Sequence, residues 1–501
     1  MFRDVVGSIA KNTSIMSVQQ LITWASTFLL MFFLPRCLGP VEYGRFFLAS
    51  SIVGIPVLLV QYGGAYLVAK NVSRSRGETG QILVDAIGFR MVFGAVSIIC
   101  VVAFTFLVDY PPSVRTIIII LSVSLMWEGT QSVLQASFQG HELLKYNSIG
   151  IIMERLFLSL VGVSVLLLGG KAVVYACVAL VAGLSNTMVL SSFVKRVAPS
   201  LPKFNAGNAR KQIKDGFPYF LFAAFSAIYY RIDSILLSKM APENVVGWYG
   251  GAYRLFDALN FFPFIFTTAV FPILSRLWQK EEAVHRRTTQ KSLEIMIIVG
   301  ILVGVMVTCF SDKIIGLFYG LSYSPSIVVL QVLSTGLVLL YVDMVLGTTL
   351  ISSEKQTQMS IVSLAMIPIN VGLNVILIPY FQSRSGNGGM GAAWATVMTE
   401  FCVLIAFIGL MPRGVLKGFR MSVFLKSLLA AALMVGAVLV TRSWDSLWPL
   451  AIVVGPIVYA LVLFVLRTFE PVEEDFLRSI MAVRSVRALR NLFDGDKSDP
   501  Q

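Results

Sequence analysis

The stretch LEIMIIVGILVGVMVTCFS, residues 293–311, contains one charged side chain, Glu294, and is otherwise almost entirely apolar. An α-helix needs roughly 20 apolar residues to cross the hydrocarbon layer of a bilayer. Windows of this kind recur along nearly the whole chain of 501 residues. Strands are not expected, because an isolated strand in lipid leaves backbone groups without hydrogen-bond partners. The sequence therefore predicts an all-α, polytopic membrane protein.

The composition supports this prediction and excludes other classes. Of all residues, 56% are hydrophobic and 13% are charged, whereas soluble domains carry about 25% charged residues. The recurring windows mean that the first one is not a cleaved signal before a soluble domain. The net charge of +13 arises from short basic links between apolar windows and not from one basic face. We therefore expect no nucleic-acid partner.

Fourteen apolar windows are expected to form transmembrane helices. An even number places both chain ends on one side of the membrane. Most of the 40 Lys and Arg residues, Arg90 among them, fall in links on that same side, so the positive-inside rule predicts cytoplasmic termini. The windows lie at about 14–35, 44–66, 87–108, 114–137, 149–169, 172–194, 217–238, 246–274, 293–311, 326–350, 359–380, 390–411, 422–441 and 447–467.

The longest basic link between windows divides the chain into two six-helix lobes. We expect an N-lobe at residues 1–195, a linker at 196–216, a C-lobe at 217–412, two further helices at 413–467 and a cytoplasmic tail at 468–501. Within the tail, apolar residues alternate with arginines from Glu473 to Phe493. This pattern predicts an interfacial amphipathic helix, with a solvated helical tail as the alternative.

Two short segments of the chain resemble each other. Cys37-Leu-Gly-Pro-Val-Glu-Tyr-Gly-Arg45 and Lys239-Met-Ala-Pro-Glu-Asn-Val-Val-Gly-Trp-Tyr249 both run from an apolar helix through a proline and an acid to a glycine. A similar pair is Gly169-Gly-Lys-Ala172 and Gly388-Gly-Met-Gly-Ala-Ala393. A repeated six-helix unit would explain both pairs and would allow two lobes to rock about a central cavity. The alternative is that short helix turns converge on Gly and Pro in any case.

The first of these segments, preceded by Gln19 and Gln20, resembles the polysaccharide translocase family, which includes the O-antigen flippases. The resemblance continues through Arg231-Ile-Asp-Ser-Ile-Leu-Leu, Val245-Val-Gly-Trp-Tyr-Gly-Gly-Ala-Tyr-Arg254-Leu and Gly391-Ala-Ala-Trp-Ala-Thr-Val-Met-Thr-Glu400. It implies membership of the superfamily of multidrug, oligosaccharidyl-lipid and polysaccharide exporters. It also implies movement of an undecaprenyl-diphosphate-linked oligosaccharide to the outer leaflet for O-antigen, capsule or exopolysaccharide synthesis.

Three arginines inside the expected spans are candidates for binding the substrate. Charges inside a membrane usually face a cavity or a partner, and a guanidinium fork matches the oxygens of a diphosphate. Arg155, Arg231 and Arg254 are therefore expected to line the cavity. The alternative is a set of structural ion pairs. These would join Arg254 to Asp233, Arg231 to Asp257 and Arg155 to Glu154.

Acids inside the spans are candidates for coupling transport to a proton or sodium ion. Glu128 and Glu400 are expected near the midplane, Asp343 nearer the cytoplasm, and Asn370 with Asn374 as neutral partners. The alternative is that each makes an interhelical hydrogen bond that holds the bundle together.

No cofactor or metal is expected. The five cysteines are far apart, and His141 and His285 have no second ligand at metal spacing. The links expected outside the membrane are short and lack His, which argues against an enzyme such as a polymerase or ligase. The alternatives within transporters are a cation-coupled drug or small-molecule exporter and a peptidoglycan-precursor flippase. Membrane lipids and a polysaccharide polymerase are the other expected partners.

Overall fold

The computed structural model describes residues 2–62, 64–442 and 448–469, and this part of the chain contains helices and no strand. The all-α prediction is confirmed. The expected tail helix, Glu473 to Phe493, lies outside the described residues.

Seventeen α-helices follow one another in the described residues. Short turns and 3₁₀ segments separate them. The helices are α1 (Phe2–Val60), α2 (Gly64–Arg74), α3 (Thr79–Leu107), α4 (Pro112–Ser122), α5 (Leu125–Gly140), α6 (Leu144–Leu167), α7 (Ala172–Ser192), α8 (Ala206–Met240), α9 (Glu243–Ala258), α10 (Phe261–Leu277), α11 (Glu282–Phe318), α12 (Ser326–Thr335), α13 (Leu337–Ser352), α14 (Gln356–Ser385), α15 (Gly388–Leu410), α16 (Met421–Arg442) and α17 (Trp448–Val465).

Eleven helical stretches of the described residues are long and apolar enough to cross a membrane, or up to 12 if α12 and α13, bent by 42°, form one span. Two of the eleven combine neighbouring α-helices: Pro112–Gly140 contains α4 and α5, and Glu243–Leu277 contains α9 and α10. Another of the eleven, Ile15–Val60, has 46 residues. A straight helix of that length would measure about 69 Å, over twice the thickness of the hydrocarbon layer. Gly39, with φ 70° and ψ 171°, interrupts it. With α1 counted as two spans and the 35-residue α8 as a further span, the fold is compatible with the fourteen expected.

Several expected boundaries differ from those in the structure. The second window, 44–66, ends at Val60, and α2 begins only at Gly64. The expected linker 196–216 is helical from Ala206, because α8 extends beyond its apolar part. Helix α3 begins at Thr79 rather than near residue 87, which places Arg90 inside a helix instead of in a basic link. Arg90 is 2% exposed and donates to the carbonyl oxygens of Gln61 and Tyr62.

Helices α16 and α17 pack beside α11, and ion pairs join α11 to both ends of α16. Arg420, just before α16, donates to Glu294 on α11 with N–O distances of 2.7 and 2.8 Å. Arg442, at the other end of α16, contacts Asp312 at 2.7 Å. Buried apolar side chains from all three helices fill the space between these contacts. The last two described helices are therefore fixed to α11.

The segments 37–45 and 239–249, which resemble each other in sequence, lie against each other; we call this contact the repeat junction. A Cβ at Gly44 would collide with the carbonyl oxygen of Glu243, and one at Gly247 would collide with that of Pro40. Arg45 joins the two segments, because it contacts Glu42 at 2.6 Å and Glu243 at 2.8 Å. The glycines of the two segments are thus needed for close backbone approach.

Candidate functional site

A cavity of about 290 Å³ lies between α1, α8 and α9, close to the repeat junction. Helix α1 contributes mainly apolar and hydroxyl side chains, whereas α8 and α9 contribute the charges. The lining residues are Thr27, Met31, Tyr43, Phe46, Phe47, Ser50, Arg231, Tyr253, Arg254, Asp257 and Ala258.

Arg231 and Arg254, two of the three predicted substrate-binding arginines, both line this cavity. Arg254 is a side-chain hydrogen-bond partner of Tyr43 across the space between α9 and α1. A side chain at Gly54 of α1 would meet the Nε atom of Arg231 at 3.6 Å. The guanidinium of Arg231 therefore lies directly beside α1 at this position.

The ion pairs considered as an alternative do not form among the described residues. Asp233 instead accepts hydrogen bonds from Asn374 at 3.0 Å, from Thr396 at 2.8 Å and from Tyr249 at 3.3 Å. These neutral donors satisfy its carboxylate without an arginine.

The other two acids of that alternative also have neutral donors. Asp257 lines the cavity, and Asn260 donates to it at 3.1 Å. Glu154 accepts a hydrogen bond from Asn186 at 2.6 Å. Across the described part of the chain, no ion pair contains Arg155, Arg231 or Arg254.

Arg155 does not line the same cavity. It lies on α6, and its Nε atom is buried without a partner among the described residues. Arg155 and Arg254 both interact electrostatically with Tyr175 on α7. The structure therefore places both Arg155 and Arg254 within electrostatic range of Tyr175.

The predicted coupling residues Glu400, Asp343 and Asn370 come together in one buried group, which we call the acid cluster. Its members are at most 6% exposed. Tyr229 donates to Glu400 at 2.7 Å. Asp343 lies within hydrogen-bonding range of Glu400, and no described donor reaches either of its carboxylate oxygens. Two carboxylates in direct contact require a shared proton or a cation between them.

Asp233 is the third acid of the cluster, because it interacts electrostatically with Glu400. Two asparagines link Asp233 to Thr399, the residue before Glu400. Asn370 donates to Thr399 at 3.2 Å, and Asn374 donates both to Asn370 at 2.9 Å and to Asp233. Within the residues that the structure describes, no three His, Cys, Asp or Glu side chains are close enough to hold a metal ion. The acid cluster therefore contains hydroxyl and amide groups as well as carboxylates.

Glu128, the remaining coupling candidate, lies apart from the acid cluster. It is on α5, where it interacts with Glu154 and is hydrogen-bonded by the side chain of Gln61. The backbone oxygen of Gln61 accepts a hydrogen bond from Arg90 at 3.1 Å. The structure thus separates the four predicted coupling residues into one group of three and one single residue.

The sequence interpretation did not place Asp233 in the acid cluster, and it missed Tyr229 and Thr396, which donate hydrogen bonds to the acids of the cluster. A signal was present, because three helices each carry a pair of polar residues four positions apart. Residues at this spacing lie on one face of a helix. The pairs are Tyr229 with Asp233, Asn370 with Asn374, and Thr396 with Glu400.

Two family models match the chain. The model described as polysaccharide biosynthesis protein matches residues 9–278, which is more than half of the sequence. The model described as MatE matches residues 218–376. The first match includes both arginines of the cavity, and the second includes Asp233, Asp343 and Asn370.

Curated relatives match most of the chain at low identity. A probable low-salt glycan biosynthesis flippase of Haloferax volcanii is 26% identical over 390 residues, which cover 74% of this chain and 77% of the relative. A capsular polysaccharide biosynthesis protein of Staphylococcus aureus is 21% identical over 415 residues, covering 80% and 98%.

Among solved structures, the lipid II flippase MurJ in an inward closed conformation resembles this fold with a TM-score of 0.71. The alignment covers 94% of this chain and 100% of that chain at 15% identity. At this identity the likeness shows a shared polytopic fold and does not identify the substrate.

Proposed function

This chain belongs to the polysaccharide biosynthesis protein family, and we propose that it is a flippase for an undecaprenyl-diphosphate-linked oligosaccharide. The flippase would move its substrate from the cytoplasmic to the outer leaflet of the inner membrane. There the oligosaccharide would enter the synthesis of O-antigen, capsule or exopolysaccharide. The protein would act as a transporter and not as an enzyme.

The single observation that carries this proposal is a pair of arginines at one cavity with no carboxylate partner among the described residues. Both arginines are half-buried, and Asp257 also lines the cavity without pairing to either, so the lining carries a net positive charge. Charges inside a membrane usually face a partner or a substrate pathway. An anionic substrate that entered the cavity would supply the missing charge, and a diphosphate offers oxygens at the spacing of the guanidinium fork. Arg231 and Arg254 would bind the diphosphate, and Arg155 would meet it after passage toward α6.

The dimensions and lining of the cavity fit the linking group of the substrate. A volume of about 290 Å³ is at the lower end of the usual range for ligand sites, so it suits a diphosphate and the nearest part of a sugar. The rest of an oligosaccharide would occupy space opened by separation of the two lobes. We place the repeat junction on the outer side, where its contacts would close the pathway.

Helix α8 would couple an ion to this movement. Tyr229 and Asp233 face the acid cluster, whereas Arg231, between them in sequence, lines the cavity. A proton or sodium ion at the cluster would change the contacts of α8 on one face. The same helix carries the substrate-binding Arg231 on its other side. Ion binding at the acid cluster and movement of the substrate would therefore be linked through one rigid helix.

The test uses purified protein in proteoliposomes and undecaprenyl diphosphate that carries a short fluorescent glycan. We expect Arg231→Ala and Arg254→Ala each to reduce its translocation about tenfold or more, because a hydrogen bond to a charged group contributes about 1.5–3 kcal/mol. Arg384→Ala is the matched control, because Arg384 is an arginine outside the cavity that stacks on Tyr380. If each of the single variants Arg155→Ala, Arg231→Ala and Arg254→Ala translocated the substrate at the wild-type rate, the proposed role of these arginines would be refuted.

A second candidate is a drug exporter or a peptidoglycan-precursor flippase of the same superfamily. The MatE match to residues 218–376 favours the drug exporter. The fold shared with a lipid II flippase is compatible with the precursor flippase. Competition in the same proteoliposomes separates them. Inhibition by lipid II but not by other undecaprenyl-diphosphate glycans would indicate the precursor flippase, and uptake of organic cations would indicate the exporter.

A further inference from the structure

A second cavity, of about 340 Å³, lies away from the substrate site at the end of α10 and the start of α11. Its walls come from Trp278 just after α10, from the start of α11 and from the link between α15 and α16. This is the end of the bundle where basic links are concentrated. The lining residues are Trp278, Glu282, Ala283, His285, Arg286, Pro412, Arg413, Gly414 and Val415.

The charges of this cavity favour an anion. Arg286 and Arg413 approach it from two separate segments, and neither has an ion-pair partner among the residues that the structure describes. Glu282 offsets one of the two positive charges, which leaves the lining cationic. Arg276, Lys280 and Lys417 lie nearby in sequence and extend the positive field beyond the cavity. A phosphate would therefore be attracted to this end of the protein.

The two aromatic rings of the cavity wall provide an independent observation. The rings of Trp278 and His285 lie 5.3 Å apart between centroids. The Nε1 atom of Trp278 and the Nε2 atom of His285 are buried and have no hydrogen-bond partner among the described residues. His285 is only 2% exposed. Buried polar groups are normally paired, so two unpaired ring nitrogens at one cavity point to a ligand that would complete them.

The backbone adds a further attraction for an anion. Helix α11 begins at Glu282 and is 37 residues long, and the side chain of its N-cap residue, Glu281, makes no capping hydrogen bond. The first amide groups of a long helix carry a partial positive charge and can bind an anion. Two residues of this first turn, Glu282 and Ala283, line the cavity.

The surroundings of the cavity suit a lipid rather than a soluble ion. Val284, within the same turn of α11, is 46% exposed, and Ile273 on α10 is 43% exposed. Tryptophan is enriched where the hydrocarbon layer meets the headgroups, and Trp278 lies at the end of an apolar helix. A headgroup in the cavity would leave its acyl chains along these exposed apolar side chains.

We propose that this cavity binds the phosphate of an anionic phospholipid from the leaflet that the basic links face. Arg286 and Arg413 would contact the phosphate oxygens, and the rings of Trp278 and His285 would enclose the headgroup. The inference concerns the membrane lipid around the protein, so it does not depend on which substrate the flippase carries.

The test measures lipid binding to the purified full-length protein by native mass spectrometry and by thermal unfolding in detergent. The probes are dioleoylphosphatidylglycerol, dioleoylphosphatidylcholine and sodium phosphate. We expect phosphatidylglycerol to bind at least tenfold more tightly than phosphatidylcholine and to raise the midpoint of thermal unfolding. The Arg286→Ala/Arg413→Ala variant should lose this preference, and Trp278→Phe should weaken it by a smaller factor.

The matched control is Arg276→Ala/Lys417→Ala, which removes the same charge outside the cavity and should keep the preference for phosphatidylglycerol. If both double variants lost the preference for phosphatidylglycerol equally, the proposed site would be overturned, because the result would show only a general effect of positive charge. Stabilisation by sodium phosphate equal to that by the lipid would overturn the lipid as the source of the phosphate. Because mass spectrometry counts lipids on folded protein, a variant of lower stability still gives a result.

Discussion

The two halves of the chain bury polar groups in different ways. In the N-terminal half, Arg90 donates to the backbone oxygens of Gln61, Tyr62 and Ala86, and Gln61 also connects it to Glu128. The buried positive charge of Arg90 and the acid Glu128 are thus both hydrogen-bonded to Gln61. In the C-terminal half, the acid cluster contains three carboxylates, and all of its described donors are neutral hydroxyl or amide groups.

This difference indicates separate tasks for the two groups. The bonds of Arg90 close the break between α1 and α2, where the carbonyl oxygens of Gln61 and Tyr62 would otherwise lack donors. That arrangement is complete without an added ion. The acid cluster is not complete, because Asp343 and Glu400 lie in contact without a donor for Asp343. A proton or cation would therefore act in the C-terminal half.

The largest expected effect is on coupling, at the centre of the acid cluster. Glu400→Gln keeps an oxygen that accepts from Tyr229 but removes the charge beside Asp343. We expect transport driven by a proton or sodium gradient in proteoliposomes to fall about 100-fold, because the ion loses one of its two contacting acids.

The matched control is Glu128→Gln, which makes the same change on α5. We expect it to reduce gradient-driven transport less than fivefold, because Glu128 interacts with Glu154 and Gln61 and lies apart from the acid cluster. A larger loss from Glu128→Gln than from Glu400→Gln would reverse the assignment of the two halves.

The second-largest expected effect is a loss of stability caused by a substitution in the N-terminal half. Arg90→Met preserves most of the side-chain volume but leaves buried carbonyl oxygens without donors. We expect a loss of about 3 kcal/mol in the free energy of unfolding, since each unsatisfied buried polar group costs about 1–3 kcal/mol. Equilibrium unfolding in mixed micelles measures this loss, with Arg210→Met, at an exposed position, as the control.

The dependence of transport on the ion gradient provides a second test of the Arg90→Met variant. Transport per folded molecule should keep its dependence on the ion gradient, because the variant does not touch the acid cluster. A stable Arg90→Met protein with lost coupling would show that the N-terminal group takes part in ion binding.

The smallest expected effect is at the repeat junction, where the halves meet. Arg45 is only partly buried, as is Glu243, and partly exposed ion pairs contribute about 0.2–1 kcal/mol. Arg45→Ala should therefore raise the fraction of molecules open at this end by about twofold. We would measure the labelling rate of Ser50→Cys, which lines the substrate cavity, by an impermeant thiol reagent in a cysteine-free background.

The corresponding control is Arg384→Ala, which removes an arginine away from the junction and should leave the labelling rate unchanged. A rate in Arg45→Ala equal to that of the control would show that the glycine contacts alone hold the junction closed. Gly247→Ala then provides the stronger perturbation, because its Cβ would collide with Pro40.

Family membership and the all-α polytopic fold followed from the sequence, because both depend on local information. Apolar windows near 20 residues have one stable form in lipid, and the segments around Gly44 and Gly247 retain a recognisable order of residue types. The division at 196–216 and the cytoplasmic position of the termini stay predictions. Element ends were less accurate, as Thr79 and Ala206 illustrate, because polar residues extend helices beyond the apolar window.

The arrangement of the charges was decided by tertiary structure. Sequence spacing identified Arg231, Arg254, Glu400 and Asp343 as intramembrane charges, but it does not specify which helices become neighbours. Only the packed bundle brings α8, α14 and α15 together around Asp233 and places Arg231 beside Gly54 of α1. The physical reason is that helix formation depends on residues three or four positions apart, whereas these contacts join residues more than a hundred positions apart.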